Sequence, residues 1–117
     1  MPSIIKIIAM PNNPDHLVVC NRSKNLYIIT TDGSLVRTYT SDLKNATDFV
    51  ALAVSSHGDY IYGATESGRV CCFMASTGSI SMEFSVSKTS EIINMAHHTF
   101  ANIMAVTTDD GIVTLWK

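Results

Sequence analysis

The sequence predicts an all-β fold built from repeated units of four antiparallel strands. Short runs rich in Val, Ile, Tyr, Phe and Thr alternate with turn residues along the chain, which is the pattern of strands. No segment keeps a 3.6-residue apolar period, so no helix is expected. The same order of strands and turns returns about every 43 residues, which indicates that one structural unit is repeated.

Three copies of this unit align without a gap. The first strands of the copies are predicted at 4–10, 48–54 and 91–97, the second at 16–20, 60–64 and 103–107, the third at 23–29, 67–73 and 110–116, and the fourth at 35–39 and 80–86. The copies therefore span residues 4–47, 48–90 and 91–117 of a single region, 1–117. The third copy is predicted without its fourth strand.

The turns between the strands carry the residues that tight hairpins need. Gly68 and Gly111 follow the second strands of their copies, where glycine supplies the positive φ of a short hairpin. Asp110 precedes Gly111 in the third copy. These turn residues, together with the apolar strand positions, are expected to hold each unit together.

Repeats of about 40–45 residues with four strands each resemble the blades of WD40 β-propellers. Trp116 matches the Trp of the Trp-Asp signature in that family, and Phe73 takes its place in the second copy. Of the His, Ser or Thr, Asp and Trp set that ties many such blades together, only Asp110 and Trp116 are present. The resemblance implies that Asp110, Gly111, Trp116, Gly68 and Phe73 are structural blade residues.

The chain is thus predicted to be a partial propeller of about two and two-thirds blades. Because a propeller closes with about four to eight blades, we expect the chain to be the C-terminal part of a longer protein. The strand at 112–116 is an expected unpaired edge, and such edges pair with other chains. The isolated chain is therefore expected to self-associate.

Composition excludes several classes of function. Eight basic and ten acidic residues give a net charge of -2, without the basic stripe of a protein that binds nucleic acid directly. No apolar run reaches the length of a membrane span, and the N-terminus lacks the features of a signal peptide, so an intracellular protein is expected. Cys20, Cys71 and Cys72 are expected to be buried free thiols.

No constellation of residues predicts an enzyme, a metal site or a cofactor site. The glycines are scattered in turns and form no phosphate-binding loop. His97 and His98 are adjacent on a strand, so their side chains point to opposite faces, and no third ligand follows at a suitable spacing. Arg22, at the end of the second strand, is a candidate interaction residue, because propellers bind partners mainly through their loops.

Several longer strings make the resemblance narrower than WD40 alone. Residues 13–23, 33–37, 58–62 and 96–98 resemble, in the same order, the C-terminal blades of the Smu (suppressor of mec and unc) splicing factor family. The resemblance implies a nuclear scaffold of the spliceosome, in a protein whose N-terminal LisH and CTLH region binds the partner RED. A substrate adaptor of a ubiquitin ligase is the alternative, since the same combination of modules serves both roles.

Overall fold

Strands make up all the regular structure of the computed structural model, which describes residues 6–40, 47–86, 92–98, 103–111 and 113–116. The described residues form eleven strands: β1 (Lys6–Ala9), β2 (His16–Cys20), β3 (Asn25–Thr30), β4 (Leu35–Thr40), β5 (Phe49–Val54), β6 (Tyr60–Thr65), β7 (Arg69–Met74), β8 (Ile80–Ser85), β9 (Ile92–His97), β10 (Met104–Thr108) and β11 (Val113–Trp116). The all-β prediction is confirmed. The third strand of each copy begins later than predicted, because the residues before it form the turn.

Consecutive strands pair into three antiparallel sheets, in the orders β1-β2-β3-β4, β5-β6-β7-β8 and β9-β10-β11. We call them the first, second and third sheets. A backbone hydrogen bond shows that the first two repeat one geometry: the amide of Thr31 donates to Asp15 at 3.0 Å, and one repeat later the amide of Ala75 donates to Asp59 at 2.9 Å. The predicted outer limits at residues 4, 90, 91 and 117 lie outside the described residues.

The second sheet has a core on each of its faces. Alternate residues of a strand point to opposite faces, so each strand contributes to both cores. Towards the first sheet it presents large side chains, among them Phe49, Leu52, Ile61 and Phe73. All six residues of β5 are buried, because neighbouring sheets cover both of its faces.

The core between the second and third sheets combines small residues with large ones. The second sheet contributes Ala51, Ala53, Ala64 and Val70, and the third sheet contributes Ile92, Met95, Met104 and Val106. Alanines on β5 leave room for the longer side chains of β9 and β10, so the two sheets interdigitate as the close packing of protein interiors requires.

Gly63 in β6 makes the first core possible. A Cβ atom at this position would lie 2.7 Å from the ring of Phe49 and 2.8 Å from a methyl group of Leu26, both nearer than real contacts allow. Phe49 is held there by its backbone, whose amide donates to the carbonyl of Ser23 at 2.8 Å. Gly63 therefore lets side chains from two sheets meet over β6.

We predict that Gly63→Ala lowers the free energy of unfolding by about 1–3 kcal/mol, the usual cost of overpacking a core. The midpoint of urea unfolding, followed by tryptophan fluorescence, measures this loss. The steric origin is tested in a Phe49→Leu background, where part of the clash is removed and the added methyl group should cost less. Equal losses in both backgrounds would contradict the steric explanation.

Candidate protein-interaction surface

The hairpin turns gather at two opposite edges of the sheets. The turns at 10–15, 31–34, 55–59 and 75–79 form what we call the lower edge, and the turns at 21–24, 66–68 and 109–111 form the upper edge. Because each turn connects adjacent antiparallel strands, successive turns of one sheet alternate between the edges. Turns from different repeats thus lie side by side and build surfaces that no single repeat contains.

A groove of about 460 Å³ lies between the first and second sheets at the lower edge. Its floor includes the buried side chains of Met10 and Ile28. Val36, Tyr60 and Met74 line it and are 46%, 38% and 39% exposed, respectively. The groove therefore offers accessible apolar surface from both sheets.

Tyr39 of β4 fixes the two sheets beside this groove. Its buried hydroxyl donates to the carbonyl of Ala75 at 2.5 Å, and its ring lies 5.6 Å from that of Phe73. Burial raises the pKa of Tyr39, so the hydroxyl stays a donor. A hydrogen bond and an aromatic contact thus join the two sheets at the groove, which Ala75 itself lines.

One cation and one anion line the groove, each contributed by a different sheet. Arg37 belongs to β4, and its Cδ lies 3.9 Å from where a Cβ on Gly78 would stand, so its aliphatic stem runs along the β7–β8 turn. Asp59 belongs to the β5–β6 turn of the second sheet. Within the described residues neither side chain makes an ion pair.

Arg22 lies at the upper edge and joins the same two sheets. Its backbone has φ 57°, the left-handed region that side chains other than glycine rarely adopt. Its guanidinium Nη2 lies 2.7 Å from Oε1 of Glu66, in the β6–β7 turn, and both side chains are partly exposed. The structure thus places Arg22 in an ion pair between sheets, and its role in binding a partner stays a prediction.

The other residues singled out from the sequence lie in turns and in the core. Phe73 is fully buried, with its ring 6.1 Å from that of Phe49. Gly68 and Gly111 have φ values of 84° and 85°, and Asp110 accepts a hydrogen bond from the hydroxyl of Thr108. The backbone of Trp116 pairs with Met104, and its side chain lies outside the described part of the chain.

A smaller cavity of about 170 Å³ lies where the lower ends of β1, β5 and β9 converge. It is lined in part by His97 and His98. The ring of His97 stacks on Tyr62 at 6.0 Å, and its Nδ1 lies 2.8 Å from the carbonyl oxygen of His98. Among the described residues, no three His, Cys, Asp or Glu side chains are grouped to hold a metal ion.

All three cysteines are buried thiols outside any disulfide, as predicted. The thiol of Cys20 donates to the carbonyl of Phe49 at 3.4 Å, which adds a second backbone link between the first two sheets. Cys71 packs in the core beside the first sheet, whereas Cys72 contacts Tyr62 on the opposite face. Burial raises the pKa of Cys20 and of Cys72, which favours the protonated thiols.

A side-chain hydrogen bond recurs in three of the turns and was not predicted from the sequence. The hydroxyl of Thr30 donates to Asp32, that of Thr65 pairs with Ser67 at 3.0 Å, and that of Thr108 donates to Asp110. The shared signal is a threonine followed two residues later by Asp or Ser and then by glycine. The groove left no such signal, because its lining comes from two repeats.

None of the described segments is a helix with the length and hydropathy of a membrane span.

Solved structures share this arrangement of sheets. The chain is similar to U3-55K (TM-score 0.85, 14% identity), to the WD40 repeats of RRP9 (0.84, 14%) and to the Cps50 (Swd1) β-propeller domain of Myceliophteria thermophila (0.77, 13%). The matches cover 98–99% of this chain and 35–36% of each of those chains. The fold is therefore a stretch of WD40 β-propeller, with two blades of four strands and a third of three described strands.

A sequence relative is more specific than the fold. The chain is 29% identical over 115 residues to WD40 repeat-containing protein smu1 of Dictyostelium discoideum. This match covers 98% of the chain, which spans about a fifth (21%) of the length of that relative. No protein-family model matches the chain. The similarity to smu1 confirms the resemblance expected from the sequence.

Replacing Arg22 should separate its backbone role from its charge. Arg22→Gly and Arg22→Ala both remove the ion pair with Glu66, but only glycine adopts φ 57° without strain. We predict that the Ala variant is less stable than the Gly variant by about 1 kcal/mol. Urea unfolding measures the difference. Lys24→Gly and Lys24→Ala form the control pair, in which the Ala variant should be as stable as the Gly variant or more stable. If the Ala variant is also as stable or more stable at residue 22, the left-handed backbone conformation assigned to Arg22 is refuted.

Tyr62 should make the stability of the protein depend on alkaline pH. Burial, with a smaller contribution from Cys72, raises its pKa to about 12 from 10.0. The folded state therefore holds this proton more tightly than the unfolded state. The stability linked to the proton is fully present below about pH 10 and is lost as the pH rises towards 12. Tyr62→Phe should show a shallower decline in urea unfolding free energy between about pH 10 and 12. Matching slopes in the wild type and in Tyr62→Phe would contradict the assignment.

Proposed function

We propose that this chain is a docking part of a WD40 propeller that acts, without catalysis, as a protein scaffold in pre-mRNA splicing. The observation that carries the proposal is the similarity to smu1 along 98% of the chain. The WD40 fold supports the scaffold role, while the splicing context is supported by the resemblance to the Smu family. Fold alone does not select the process, because function belongs to sites rather than to architectures.

The described surface supports protein partners rather than direct contact with RNA. The lower-edge groove combines apolar side chains with one charge of each sign, which is the mixture found at protein interfaces. The whole chain carries a net charge of -2, whereas binding to phosphates depends on clustered Lys and Arg. We therefore propose spliceosomal proteins as the partners of these blades, and a nuclear location.

The Smu resemblance also implies a RED-like partner, which we place on the N-terminal region of the longer family protein and not on these blades. The upper and lower edges then remain for other proteins of the assembly. This division of surfaces gives the chain a role of its own. It lets one protein hold two partners at separate places.

The proposal is tested by tagging the protein at its own locus and recovering it from nuclear extract under native conditions. Splicing proteins and unspliced pre-mRNA should be enriched, because a scaffold co-purifies with the assembly that it organises. Quantitative mass spectrometry and reverse transcription measure the two. Fluorescence microscopy of the tagged protein tests the nuclear location.

A Phe73→Asp variant is the control, since a buried charge at this core position should prevent the blades from folding. Its recovery of splicing components defines the background. Enrichment of ubiquitin ligase subunits in place of splicing proteins would favour the adaptor function. Recovery at the level of the Phe73→Asp variant would refute a scaffold role of these blades in splicing.

A further inference from the structure

We propose that the lower-edge groove binds an extended segment of a partner protein in which one apolar side chain lies between an acidic and a basic side chain. The inference rests on the proposed function, because it names the chemistry of a partner that such a scaffold would dock. It commits the groove to a peptide segment and not to RNA, a small molecule or a second copy of the chain.

The apolar side chain follows from the composition of the groove. Met10 and Ile28 lie at its floor and are buried already, whereas Val36, Tyr60 and Met74 keep more than a third of their surface exposed. An inserted apolar side chain would remove part of this exposed surface from water, which favours binding. The space of about 460 Å³ accommodates a few side chains rather than a folded domain.

The two flanking charges follow from Arg37 and Asp59. These side chains belong to different sheets, and among the described residues neither makes an ion pair that would satisfy its charge internally. An acidic side chain fits beside Arg37 and a basic side chain beside Asp59. Such complementary charges select partners and orient them more than they add affinity.

Asp59 also argues against a nucleic-acid occupant. A phosphate placed beside Arg37 would share the groove with a carboxylate, in a chain that carries a net charge of -2. A peptide meets both charges with opposite ones, whereas a polyanion meets only one. The lower-edge groove therefore favours a polypeptide with charges of both signs.

The segment is expected to be held by its side chains. β4 is an edge strand of the first sheet, but its pairing with β3 shifts register between Ile28 and Ile29. Such a bulge bends a strand and interrupts the regular edge that an added strand would use. In an extended segment alternate side chains face the same way, so the acidic, apolar and basic residues should be spaced two apart.

The probes are fluorescein-labelled peptides with the cores Glu-Ser-Leu-Ser-Lys, Lys-Ser-Leu-Ser-Lys, Glu-Ser-Leu-Ser-Glu and Gln-Ser-Leu-Ser-Gln, titrated with the purified full chain by fluorescence anisotropy. The wild type should bind the first at least about fivefold more tightly than the others. Arg37→Glu should lose this preference and favour the core with two lysines. Asp59→Lys should instead favour the core with two glutamates, which provides a second variant if Arg37→Glu does not fold.

Lys24→Glu is the matched control, because it makes the same change of charge at an exposed position on the upper edge. It should leave every affinity within about twofold of the wild type. Equal binding of all four peptides, no binding to any of them, or an Arg37→Glu variant with wild-type preferences would overturn the inference. A dimer in light scattering that Arg37→Glu converts to a monomer would also overturn it, since a second copy would then fill the groove.

This test is independent of the test for splicing. If the wild type shows no peptide preference but recovers splicing proteins normally, the groove proposal is refuted and the scaffold proposal stands. If the groove is selective but the protein recovers no splicing component, the splicing role is refuted and the groove stands as a docking site.

Discussion

The attachment of Phe49 to the first sheet is the constraint on which the described fold depends. Its amide bonds to Ser23, its carbonyl accepts the thiol of Cys20, and its ring fills the space that Gly63 leaves above β6. Phe49 is the first residue of β5, so these contacts fix where β5 lies. Since β5 is covered on both faces, its position also decides where the third sheet packs.

The surfaces proposed for binding lie between the two sheets that Phe49 joins, so their geometry depends on that attachment. The lower-edge groove lies between two sheets that share one core, and Tyr39 joins these sheets beside it through its hydrogen bond to the carbonyl of Ala75. At the other edge, the ion pair of Arg22 and Glu66 spans the same two sheets. These contacts preorganise the surfaces proposed for binding, which would lower the entropic cost of association with a partner.

The sequence predicted what depends on local pattern. β-branched runs placed all eleven strands, and the positive φ values of Gly68 and Gly111 agree with the hairpins assigned to them. It did not predict contacts between repeats, since neither the pairing of Arg22 with Glu66 nor the meeting of Arg37 and Asp59 in one groove follows from a periodic pattern. The β-bulges were also not predicted, because a bulge changes the register between two paired strands and not the composition of either strand.

The buried thiols have a consequence for how the blades come apart. Cys20 lies between the first and second sheets, and Cys72 lies on the face of the second sheet that carries Tyr62. A thiol reagent reaches such a group only while the surrounding packing is open. Cys20 and Cys72 therefore report on different interfaces between blades. Unequal rates of their modification would show which of the two interfaces opens more readily.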